Sequence, residues 1–509
     1  MSEPSSLALT ENLDDAVAVA TGILGLDEVL RGGIPSRRMH LVEGAPGSGK
    51  TTLALQFLLE GSARGETSLY ITLAETRREV LAVGRSHGWA LDKIHILNFT
   101  PPELSQDAKH HQSIIHSADL EQGDTIRTLV AEIERLKPSR VVVDSLSEIR
   151  LLTQGALRYR RQLLALKQTF LDHNCTALML DDLNFELHGL SVHSVAHGVI
   201  RLEQLAKEFG AERRRLRVMK MRGVKFQGGF HDFTIAQGGL VVFPRMVAAD
   251  HPHEFDPDEH VASGVKELDV MMGGGIDRGT NLLLLGPSGA GKSTLSARIA
   301  LSALERGERV TFFNFDEAER IFLKRCKGLG MDLAPFKANG RLELNQVDPA
   351  ELSPGELSGM VREAVEKRGA SMVVLDSLGG YLHAMPEEKF MLLQMHELLM
   401  YLNQRGVATI LVLAQHGLIG ETNAPLDMTY LADAILVLRF FETQGRLRRA
   451  ISMVKKRTGP HEMTIREYII DNGIRIGPPL DRFRGLLQGG PIFGGPYEPS
   501  QEEPDAAER

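Results

Sequence analysis

The sequence predicts an α/β protein made of two tandem domains, each with a mostly parallel β-sheet flanked by helices. A glycine-rich motif with the spacing G-x-x-x-x-G-K-[S/T] occurs at residues 44–51 and again at residues 286–293, an offset of 242. In both halves, short apolar runs rich in β-branched residues alternate with helical patterns. This alternation is typical of parallel strands that helices cover on both faces.

The repeat extends over whole domains. TGILGLDEVLRGGIPSRR at residues 21–38 matches SGVKELDVMMGGGIDRG at residues 263–279, and RVVVDSL at residues 140–146 matches SMVVLDSL at residues 371–378. The polar, acidic and proline-bearing stretch between the halves is typical of a linker. We therefore predict an N-terminal extension at residues 1–16, a first domain at 17–246, a linker at 247–260, a second domain at 261–484 and a C-terminal tail at 485–509.

The apolar pattern assigns the main elements of the first half in chain order. The strand MHLVE leads into the glycine-rich motif, and KTTLALQFLLEGSA after it has the pattern of a helix. In the second half the apolar run NLLLL occupies the place of that first strand. The predicted elements of the first half are a strand at residues 39–43, a helix at 50–63, strands at 68–72 and 140–144, and a helix at 159–173.

Composition and charge bear on the protein's partners and its cellular compartment. The 509 residues carry a net charge of −8 with a pI near 6.2, so nucleic acid is not expected as a partner. The two cysteines, Cys175 and Cys326, lie far apart and suit a reducing compartment. Apolar runs are shorter than the roughly 20 residues of a membrane helix, and the acidic start lacks a signal pattern. We expect a cytoplasmic protein with no membrane contact.

The repeated glycine-rich motif is a phosphate-binding loop, or P-loop. Its glycines let backbone N–H groups converge on phosphate oxygens at a helix N-terminus. Lys50 and Lys292 are placed to reach the β and γ phosphates of ATP, and Thr51 and Ser293 to bind Mg²⁺. The predicted ATP-binding residues are Gly44, Gly47, Ser48, Gly49, Lys50, Thr51 and Thr52 in the first loop, and Gly286, Ser288, Gly289, Ala290, Gly291, Lys292, Ser293 and Thr294 in the second.

Two aspartates at strand ends are the expected partners of the metal. Asp144 and Asp376 each end an apolar strand, which is where side chains meet ligands in open α/β sheets. A carboxylate in this place holds Mg²⁺, usually through water. Because the aspartate recurs at matching places in both halves, we prefer this role to that of a helix cap.

Two glutamates are the expected catalytic bases. Glu75 and Glu317 end the strand that follows each P-loop helix, where a carboxylate orients or deprotonates the nucleophile that attacks the γ phosphate. The preceding residue differs, since Ala74 precedes Glu75 whereas Asp316 precedes Glu317. Two adjacent carboxylates can divide the proton transfers between them, so the halves are expected to perform different tasks.

A basic stretch at residues 212–225 contains seven lysines and arginines in fourteen positions. Its end alternates as a strand does, with both methionines expected on one face and Lys220 and Arg222 on the other. The second half repeats the pair as Lys455 and Arg457. Cations on a strand distant from their own P-loop suit a role in trans, on a neighbour's γ phosphate. A backbone contact to nucleic acid is the alternative interpretation.

These features together resemble the KaiC family, a two-domain branch of the RecA-like ATPases. The resemblance implies a homohexamer of two stacked rings with ATP between neighbouring subunits. It further implies that the first ring hydrolyses ATP and that the second phosphorylates itself as a serine/threonine kinase. The paired glutamates of the family fall on Ala74–Glu75 and on Asp316–Glu317, so the resemblance assigns Asp316 as a base for a hydroxyl nucleophile.

The resemblance also places the phosphate acceptors. Counted back from DAILVLRFFE at residues 433–442, they fall on Thr429 and Tyr430. Thr429 is a competent hydroxyl nucleophile, whereas Tyr430 departs from the family pattern of a serine and a threonine. A KaiB-like protein is a candidate partner beside the chain itself. We therefore expect an autophosphorylating ATPase used in signalling or circadian timing. The alternatives are a RecA-like DNA-dependent ATPase and a nucleotide-gated assembly scaffold.

Overall fold

The chain folds into two structural units. The computed structural model describes residues 17–99, 124–153, 155–183, 192–206, 210–250, 255–383, 388–415, 429–443, 445–481, 483–484 and 492–493. Contacts divide the chain between Arg245 and Met246. Each unit contains one nine-stranded sheet, and the prediction of two tandem α/β domains with mostly parallel sheets is confirmed.

The first domain is built on a sheet with six parallel strands and three antiparallel ones. Its strands are β1 (Ala18–Val19), β2 (Ile34–Pro35), β3 (Met39–Gly44), β4 (Ser68–Thr72), β5 (Ile94–Asn98), β6 (Arg140–Asp144), β7 (Thr176–Asp182), β8 (Gly198–Leu205), β9 (Arg213–Met221), β10 (His231–Ala236) and β11 (Gly239–Phe243). Across the sheet the order is β11-β10-β9-β8-β3-β7-β6-β4-β5. The strands from β8 to β5 run parallel, and β9, β10 and β11 extend the sheet antiparallel beyond β8. The short strands β1 and β2 form a separate ribbon.

Helices cover this sheet and position the residues around the P-loop. They are α1 (Leu26–Val29), α2 (Lys50–Ala63), α3 (Arg77–Ser86), α4 (Asp124–Leu136), α5 (Leu146–Leu152) and α6 (Ala156–Asp172). The central strands are buried along nearly their whole length, because helices pack on both faces. A capping box in which Thr76 and Glu79 satisfy each other's backbone N–H groups begins α3, and so fixes the turn that carries Glu75.

The second domain repeats this order of strands. They are β12 (His260–Val261), β13 (Ile276–Asp277), β14 (Asn281–Gly286), β15 (Val310–Asn314), β16 (Leu342–Gln346), β17 (Met372–Asp376), β18 (Ala408–Ala414), β19 (Ala434–Thr443), β20 (Arg446–Lys456), β21 (Ile465–Asp471), β22 (Gly473–Pro479), β23 (Phe483–Arg484) and β24 (Ile492–Phe493). The main sheet has the order β16-β15-β17-β18-β14-β19-β20-β21-β22, with β20, β21 and β22 antiparallel. Strand for strand, this is the order found in the first domain.

The helices of the second domain also match those of the first around the P-loop. They are α7 (Lys266–Met271), α8 (Lys292–Glu305), α9 (Glu319–Gly328), α10 (Ala334–Ala338), α11 (Pro354–Glu366), α12 (Leu378–His383) and α13 (Glu388–Gln404). The P-loop helices α2 and α8, and the next helices α3 and α9, keep the 242 offset at both ends. Within the described parts of the chain, no helix combines the length and apolarity needed to cross a membrane.

The stretch between the halves contacts the second domain. Met246 and Ala248 are buried in one of its core clusters. The ring of Phe255 lies against Gly279 and Gly406, where an added Cβ would approach it within 2.6 Å. The domain and linker boundaries stay predictions, and the predicted N-terminal extension and nearly all of the tail lie outside the described residues.

Two candidate nucleotide sites

The first P-loop joins β3 to α2 through backbone conformations that favour glycine. Gly47 and Gly49 have φ of 79° and 100°, in the left-handed region. A Cβ on Gly49 would lie 2.6 Å from Cδ1 of Ile235. The ammonium group of Lys50 donates to the carbonyl oxygens of Gly44 at 2.9 Å and of Ala45 at 3.0 Å. The loop therefore curls around the lysine and leaves a concave cradle of backbone at the helix N-terminus.

The predicted metal residues of the first site lie together. The Thr51 hydroxyl donates to Asp144 at 3.2 Å, and the Tyr70 hydroxyl donates to the same carboxylate oxygen at 2.5 Å. Burial raises the pKa of Asp144, while these hydrogen bonds and Lys50 oppose that shift. Tyr70 was not anticipated from the sequence; it lies on β4, which pairs with β6 so that Thr72 is opposite Asp144.

A further carboxylate, unanticipated from the sequence, lies at the first site. Asp182 ends β7 beside Gly44, and its carboxylate lies 2.9 Å from the ammonium group of Lys50. The neighbouring Asp181 is held elsewhere, by Arg150 at 2.6 Å and by the Ser147 hydroxyl at 2.9 Å. Because Asp182 ends a strand just as Asp144 does, the strand-end rule applied to TALMLDD would have found it.

Glu75 lies near the predicted metal residues but not on the strand where the sequence places it. Strand β4 ends at Thr72, and Glu75 follows three residues later in a turn that the Thr72 hydroxyl braces at 2.9 and 3.0 Å. The side chain is half-buried. Burial raises its pKa, and the charges of Asp144 and Glu79 raise it further. A carboxylate in this environment binds protons more strongly than an exposed glutamate, as a general base requires.

The second P-loop has the same geometry with a different electrostatic environment. Lys292 donates to the carbonyl oxygens of Gly286 at 2.9 Å and of Pro287 at 2.8 Å. Burial lowers the pKa of Lys292 to about 8, against the opposing charge of Asp376. The position that pairs with Gly286 is Ala414, so the strand-end carboxylate found opposite Gly44 is absent here.

The predicted metal residues of the second site are also in contact. The Ser293 hydroxyl donates to Asp376 at 3.0 Å. Burial raises the pKa of Asp376 to about 6, although Ser293, Arg325 and Lys292 oppose the shift. The position of Tyr70 is occupied by Phe312, one of the fully buried side chains, so no phenol contacts this aspartate.

The two acids Asp316 and Glu317 of the second site have separate partners. The Ser377 hydroxyl donates to Asp316 at 2.5 Å, which places that carboxylate beside the end of β17. Glu317 accepts two hydrogen bonds from Arg325, at 3.0 and 2.7 Å. Arg325 lies on α9 and also donates to the Thr294 hydroxyl of the P-loop helix at 3.1 Å. Neither Ser377 nor Arg325 was singled out from the sequence.

A tyrosine on β21 supports the second P-loop from the antiparallel part of the sheet. The hydroxyl of Tyr468 donates to the backbone carbonyl of Ala290, and both residues are buried. Ile470 packs against Gly291 as Ile235 packs against Gly49, so Phe233 is the residue that corresponds to Tyr468. The first P-loop therefore lacks this hydroxyl.

The predicted Lys-x-Arg pair of the first domain lies at the end of β9, but the expected alternation is wrong. Val199 pairs with Lys220 whereas Ile200 pairs with Val218, so Met219 forms a bulge. Met219 is therefore exposed while Met221 is buried. A bulge re-aims the side chains that follow it. Here Lys220 donates to the carbonyl of His193, and burial followed by the nearby cations lowers the Lys220 pKa.

The second pair is bulged in the same way and contacts the predicted acceptors. Lys455 donates to the carbonyl oxygen of Thr429 at 2.8 Å, and Arg457 donates to that of Tyr430 at 2.8 Å. Thr429 is partly buried and Tyr430 is half-exposed. In the first domain Arg222 likewise donates to the carbonyl of Ser194, at 3.1 Å. Each cation pair thus holds the turn that precedes the strand beside it.

These cations lie toward the N-terminal ends of the parallel strands, whereas the P-loop of their own domain lies at the C-terminal ends. Lys455 is paired with Ile435, which in turn is paired with Leu283 near the start of β14. Gly286 lies three residues further along β14, about 10 Å in the strand direction. The P-loop extends beyond that end of the strand. The register therefore separates the second domain's cations, and the turn with the predicted acceptors, from its own nucleotide cradle.

The arginine-rich start of β9 is largely engaged within the first domain. Arg215 pairs with Glu203 at 2.9 Å and Arg214 with Glu212 at 3.3 Å. The guanidinium groups of Arg215 and Arg217 lie 4.0 and 5.1 Å from the centre of the Phe230 ring. These contacts occupy the arginines within the sheet of the first domain, where β9 lies between β8 and β10, and do not favour a nucleic-acid interface.

Comparison with known proteins accords with this geometry. A family model described as "ATPase: KaiC" matches residues 19–247 and, a second time, residues 261–481. The chain belongs to the KaiC family. Its two α/β units are accordingly tandem RecA-like ATPase domains.

Curated KaiC relatives match over nearly the whole chain at low identity. The chain is 26% identical over 501 residues to the circadian clock protein KaiC3 of Synechocystis sp., covering 95% of this chain and 96% of that protein. It is also 26% identical over 484 residues to the circadian clock oscillator protein KaiC of Prochlorococcus marinus strain MIT 9313, covering 92% and 95%. Both P-loop domains of this KaiC-family chain lie inside the matched regions.

The residues present at both sites fit Mg²⁺ with ATP. Each cradle offers a lysine, and beside it a hydroxyl that is hydrogen-bonded to a strand-end aspartate. Mg²⁺ prefers oxygen ligands and commonly binds through one or two protein groups together with water and substrate phosphates. Accordingly, the described residues contain no group of three or more His, Cys, Asp or Glu side chains that would enclose a metal by itself. Thr51 with Asp144, and Ser293 with Asp376, would hold the ion.

Proposed function

We propose that this KaiC-family chain is an ATP-dependent homohexamer whose first domain hydrolyses ATP and whose second domain phosphorylates a neighbouring copy on Thr429. The proposal is supported by two complete nucleotide cradles that differ in their acids. Tyr430 is the alternative acceptor, since it adjoins Thr429 in the same turn.

The observation that carries the proposal is the placement of the acceptor turn. The turn holds Thr429, whose carbonyl oxygen accepts from Lys455, and the next residue, whose carbonyl oxygen accepts from Arg457. The turn and both cations lie away from the P-loop of their own domain. A phosphoryl group bound at Lys292 can therefore reach Thr429 only on another copy of the chain. A closed ring repeats such a head-to-tail contact without leaving an unsatisfied end.

At the second site the roles follow from the contacts. Lys292 neutralises the β and γ phosphates, and Ser293 and Asp376 would hold Mg²⁺, which would supply positive charge to the phosphates. Asp316 accepts the proton of the incoming Thr429 hydroxyl, whose oxygen attacks the γ phosphorus as the bond to the β-phosphate oxygen breaks. Arg457 and Lys455 arrive with Thr429 and stabilise charge on the transferred group. The products are ADP and a phosphothreonine.

At the first site the nucleophile is water. Glu75 orients the water and accepts its proton, for which the raised pKa suits it. Lys220 and Arg222 of the next subunit complete this site in the way Lys455 and Arg457 complete the second. His193 and Ser194 occupy the place of the acceptors, so no threonine or tyrosine is presented there.

The cellular role proposed is signalling or timing through the phosphorylation state. The KaiC and KaiC3 relatives are named as circadian clock proteins. A KaiB-like protein that distinguishes phosphorylated from unphosphorylated rings is the corresponding partner.

The decisive experiment tests which groups act in trans. Two tagged variants, Lys292→Ala and Thr429→Ala, are co-expressed, incubated with Mg·ATP, and separated for intact mass and peptide mapping. Phosphate is expected on Thr429 of the Lys292→Ala chains, because their acceptor meets the intact P-loop of a Thr429→Ala neighbour. Neither variant alone should carry phosphate on Thr429.

The matched control is a mixture of Arg457→Ala with Thr429→Ala chains. Since Arg457 is hydrogen-bonded to the turn that contains Thr429 in the same chain, it must reach the site together with that Thr429, and no recovery is expected in this mixture. Recovery there, with none in the first mixture, would contradict the arrangement. Wild-type protein that hydrolyses ATP yet gains no phosphate would contradict the kinase assignment.

A further inference from the structure

The ion pair between Glu317 and Arg325 distinguishes the second nucleotide site. Both carboxylate oxygens of Glu317 accept from the guanidinium group, Oε1 from Nε at 3.0 Å and Oε2 from Nη2 at 2.7 Å. The two side chains are about equally shielded, each 27% exposed. A two-pronged contact of this kind fixes the orientation of the carboxylate as well as its charge.

Arg325 is itself held in place from two sides. Its remaining nitrogen donates to the Thr294 hydroxyl at 3.1 Å, which connects α9 to the first turn of the P-loop helix. Its guanidinium also lies 5.4 Å from the centre of the Phe322 ring, one turn earlier on α9. The arginine is therefore part of a rigid link between the P-loop and the acid that follows β15.

The first domain has the same scaffold without this arginine. Helices α3 and α9 begin and end at corresponding residues, and Glu75 corresponds to Glu317. The residue in the place of Arg325 is Val83, which is half-buried and packs against the core of the first domain. Thr52, the counterpart of Thr294, instead lies 3.5 Å from Nε2 of His87.

We propose that Arg325, on α9, is a positioning residue that holds Glu317 in an ion pair and so restrains it from activating water. Asp316 is then left as the base of the second site. This inference rests on the proposed function, in which that site transfers its phosphoryl group to a hydroxyl. Asp316 is free of this guanidinium and is oriented by Ser377 instead.

The chemical consequence is a choice between two nucleophiles at one site. A general base must accept a proton as the nucleophile attacks, and both carboxylate oxygens of Glu317 already accept hydrogen bonds from the guanidinium group of Arg325. Restraining Glu317 suppresses hydrolysis by water, which would waste the γ phosphate before transfer. Asp316 is one methylene shorter than glutamate, which suits a bulkier nucleophile brought in by a neighbouring chain.

The test exchanges Arg325 and Val83 between the two sites. In a Glu75→Gln background that silences the first site, Arg325→Val is expected to raise the kcat for ATP hydrolysis about tenfold and leave KM within about twofold. Adding Glu317→Gln should cancel the gain, because Glu317 is the released base. Arg325→Lys, which retains one charged contact, should give an intermediate rate.

The reciprocal variant is Val83→Arg, made in an Asp316→Asn/Glu317→Gln background that silences the second site. It is expected to lower the kcat of the first site about tenfold, again with little change in KM. An unchanged kcat in folded Arg325→Val protein, or a gain in Arg325→Val that survives Glu317→Gln, would overturn the role of Arg325.

The outcome for Arg325 can be separated from that of the kinase proposal. If wild-type chains never gain phosphate, the kinase proposal fails, yet the kcat changes at both sites still test whether the guanidinium restrains the glutamate. If chains gain phosphate but Arg325→Val leaves hydrolysis and the ratio of phosphothreonine to free phosphate unchanged, only the role of Arg325 fails. A misfolded Arg325→Val protein leaves Val83→Arg, in the other domain, as the deciding variant.

Discussion

The two nucleotide sites share a backbone and differ in the charges that surround it. At the first, Lys50 faces Asp182 at 2.9 Å, and Tyr70 holds Asp144. At the second site, Ala414 stands in the place of Asp182 and Phe312 in the place of Tyr70. This site has a second acid, Asp316, which accepts from Ser377, and an arginine, Arg325, which is paired with Glu317.

Under the proposed function, this difference lets one fold support two reactions. The P-loop, the metal residues and the strand order are duplicated because any Mg·ATP site requires them. The groups to which we assign selection of the nucleophile lie on the following turn and helix, where substitution leaves the sheet intact. Glu75 has no arginine at the position of Arg325, whereas Glu317 does. The four predictions below test this contrast, beginning with the largest effect.

The largest effect is expected from removing each P-loop lysine in turn. Lys292→Ala should reduce phosphorylation of Thr429 by at least about 10²-fold, since a charged group that stabilises the transferring phosphoryl group is lost. Lys50→Ala should leave phosphorylation of assembled rings largely intact. Quantitative mass spectrometry of the Thr429 peptide measures both. Equal losses in the two variants would remove the division of labour between the sites.

The second prediction concerns pH at the second site. Burial holds the pKa of Lys292 at about 8, so this lysine becomes neutral above that pH when no nucleotide is bound. ATP phosphates favour the charged form, so binding must take up a proton there. The Kd for ATP should therefore rise about tenfold per pH unit above 8 and stay level below it. Calorimetry on Lys50→Ala protein measures the Kd of the second site. A Kd that stays constant up to pH 10 would contradict the lowering of the Lys292 pKa by burial.

The third prediction exchanges the strand-end carboxylate. Asp182→Ala should tighten ATP binding at the first site about fivefold, because the ion pair between Lys50 and Asp182 then no longer has to break when Lys50 binds phosphate. Asp182 is one-third exposed, so the pair contributes only about 1 kcal/mol. Ala414→Asp should weaken the second site by a similar factor. Nucleotide titrations with the other P-loop lysine replaced give the two values, and weaker binding in Asp182→Ala would show that Asp182 assists the nucleotide instead.

The smallest effect is expected at the antiparallel support of the P-loop. Tyr468→Phe removes the hydrogen bond to the buried carbonyl of Ala290 and should lower the free energy of unfolding of the second domain by about 1 kcal/mol. Phe233→Tyr offers the first P-loop the same hydroxyl. Denaturant melts of both variants measure the change. A stability gain in Tyr468→Phe would mean that the hydroxyl is poorly accommodated.

Much of the fold was predictable because its signals are local. The helix predicted at residues 50–63 and the strands predicted at 68–72 and 140–144 have those same bounds as α2, β4 and β6. Continuous apolar runs identify buried parallel strands, and the P-loop spacing identifies a strand-to-helix turn. The alternation of β9 was wrong at Met219 because a bulge depends on the pairing partner, which the strand's own residues do not reveal.

The candidate sites were predictable only in part, for the same reason. Thr51, Asp144, Ser293 and Asp376 lie within motifs or at strand ends, so sequence position alone indicated them. Tyr70 and Arg325 lie inside an ordinary strand and an ordinary helix. Aligning the halves position by position would have shown that valine stands in the place of Arg325, though not what Arg325 contacts.

The sequence by itself determined that there are two ATP cradles, which lysines and hydroxyls belong to them, and that the acids after them differ. The tertiary structure decided which charges meet. Lys50 contacts Asp182, 132 positions away, because the pairing of β3 with β7 places Gly44 opposite Asp182. Register likewise places Lys455 and Arg457 beside the turn that contains Thr429 and Tyr430, and away from the cradle of their own domain. Contacts between distant strands follow from pairing and packing across the whole sheet, which no local pattern encodes.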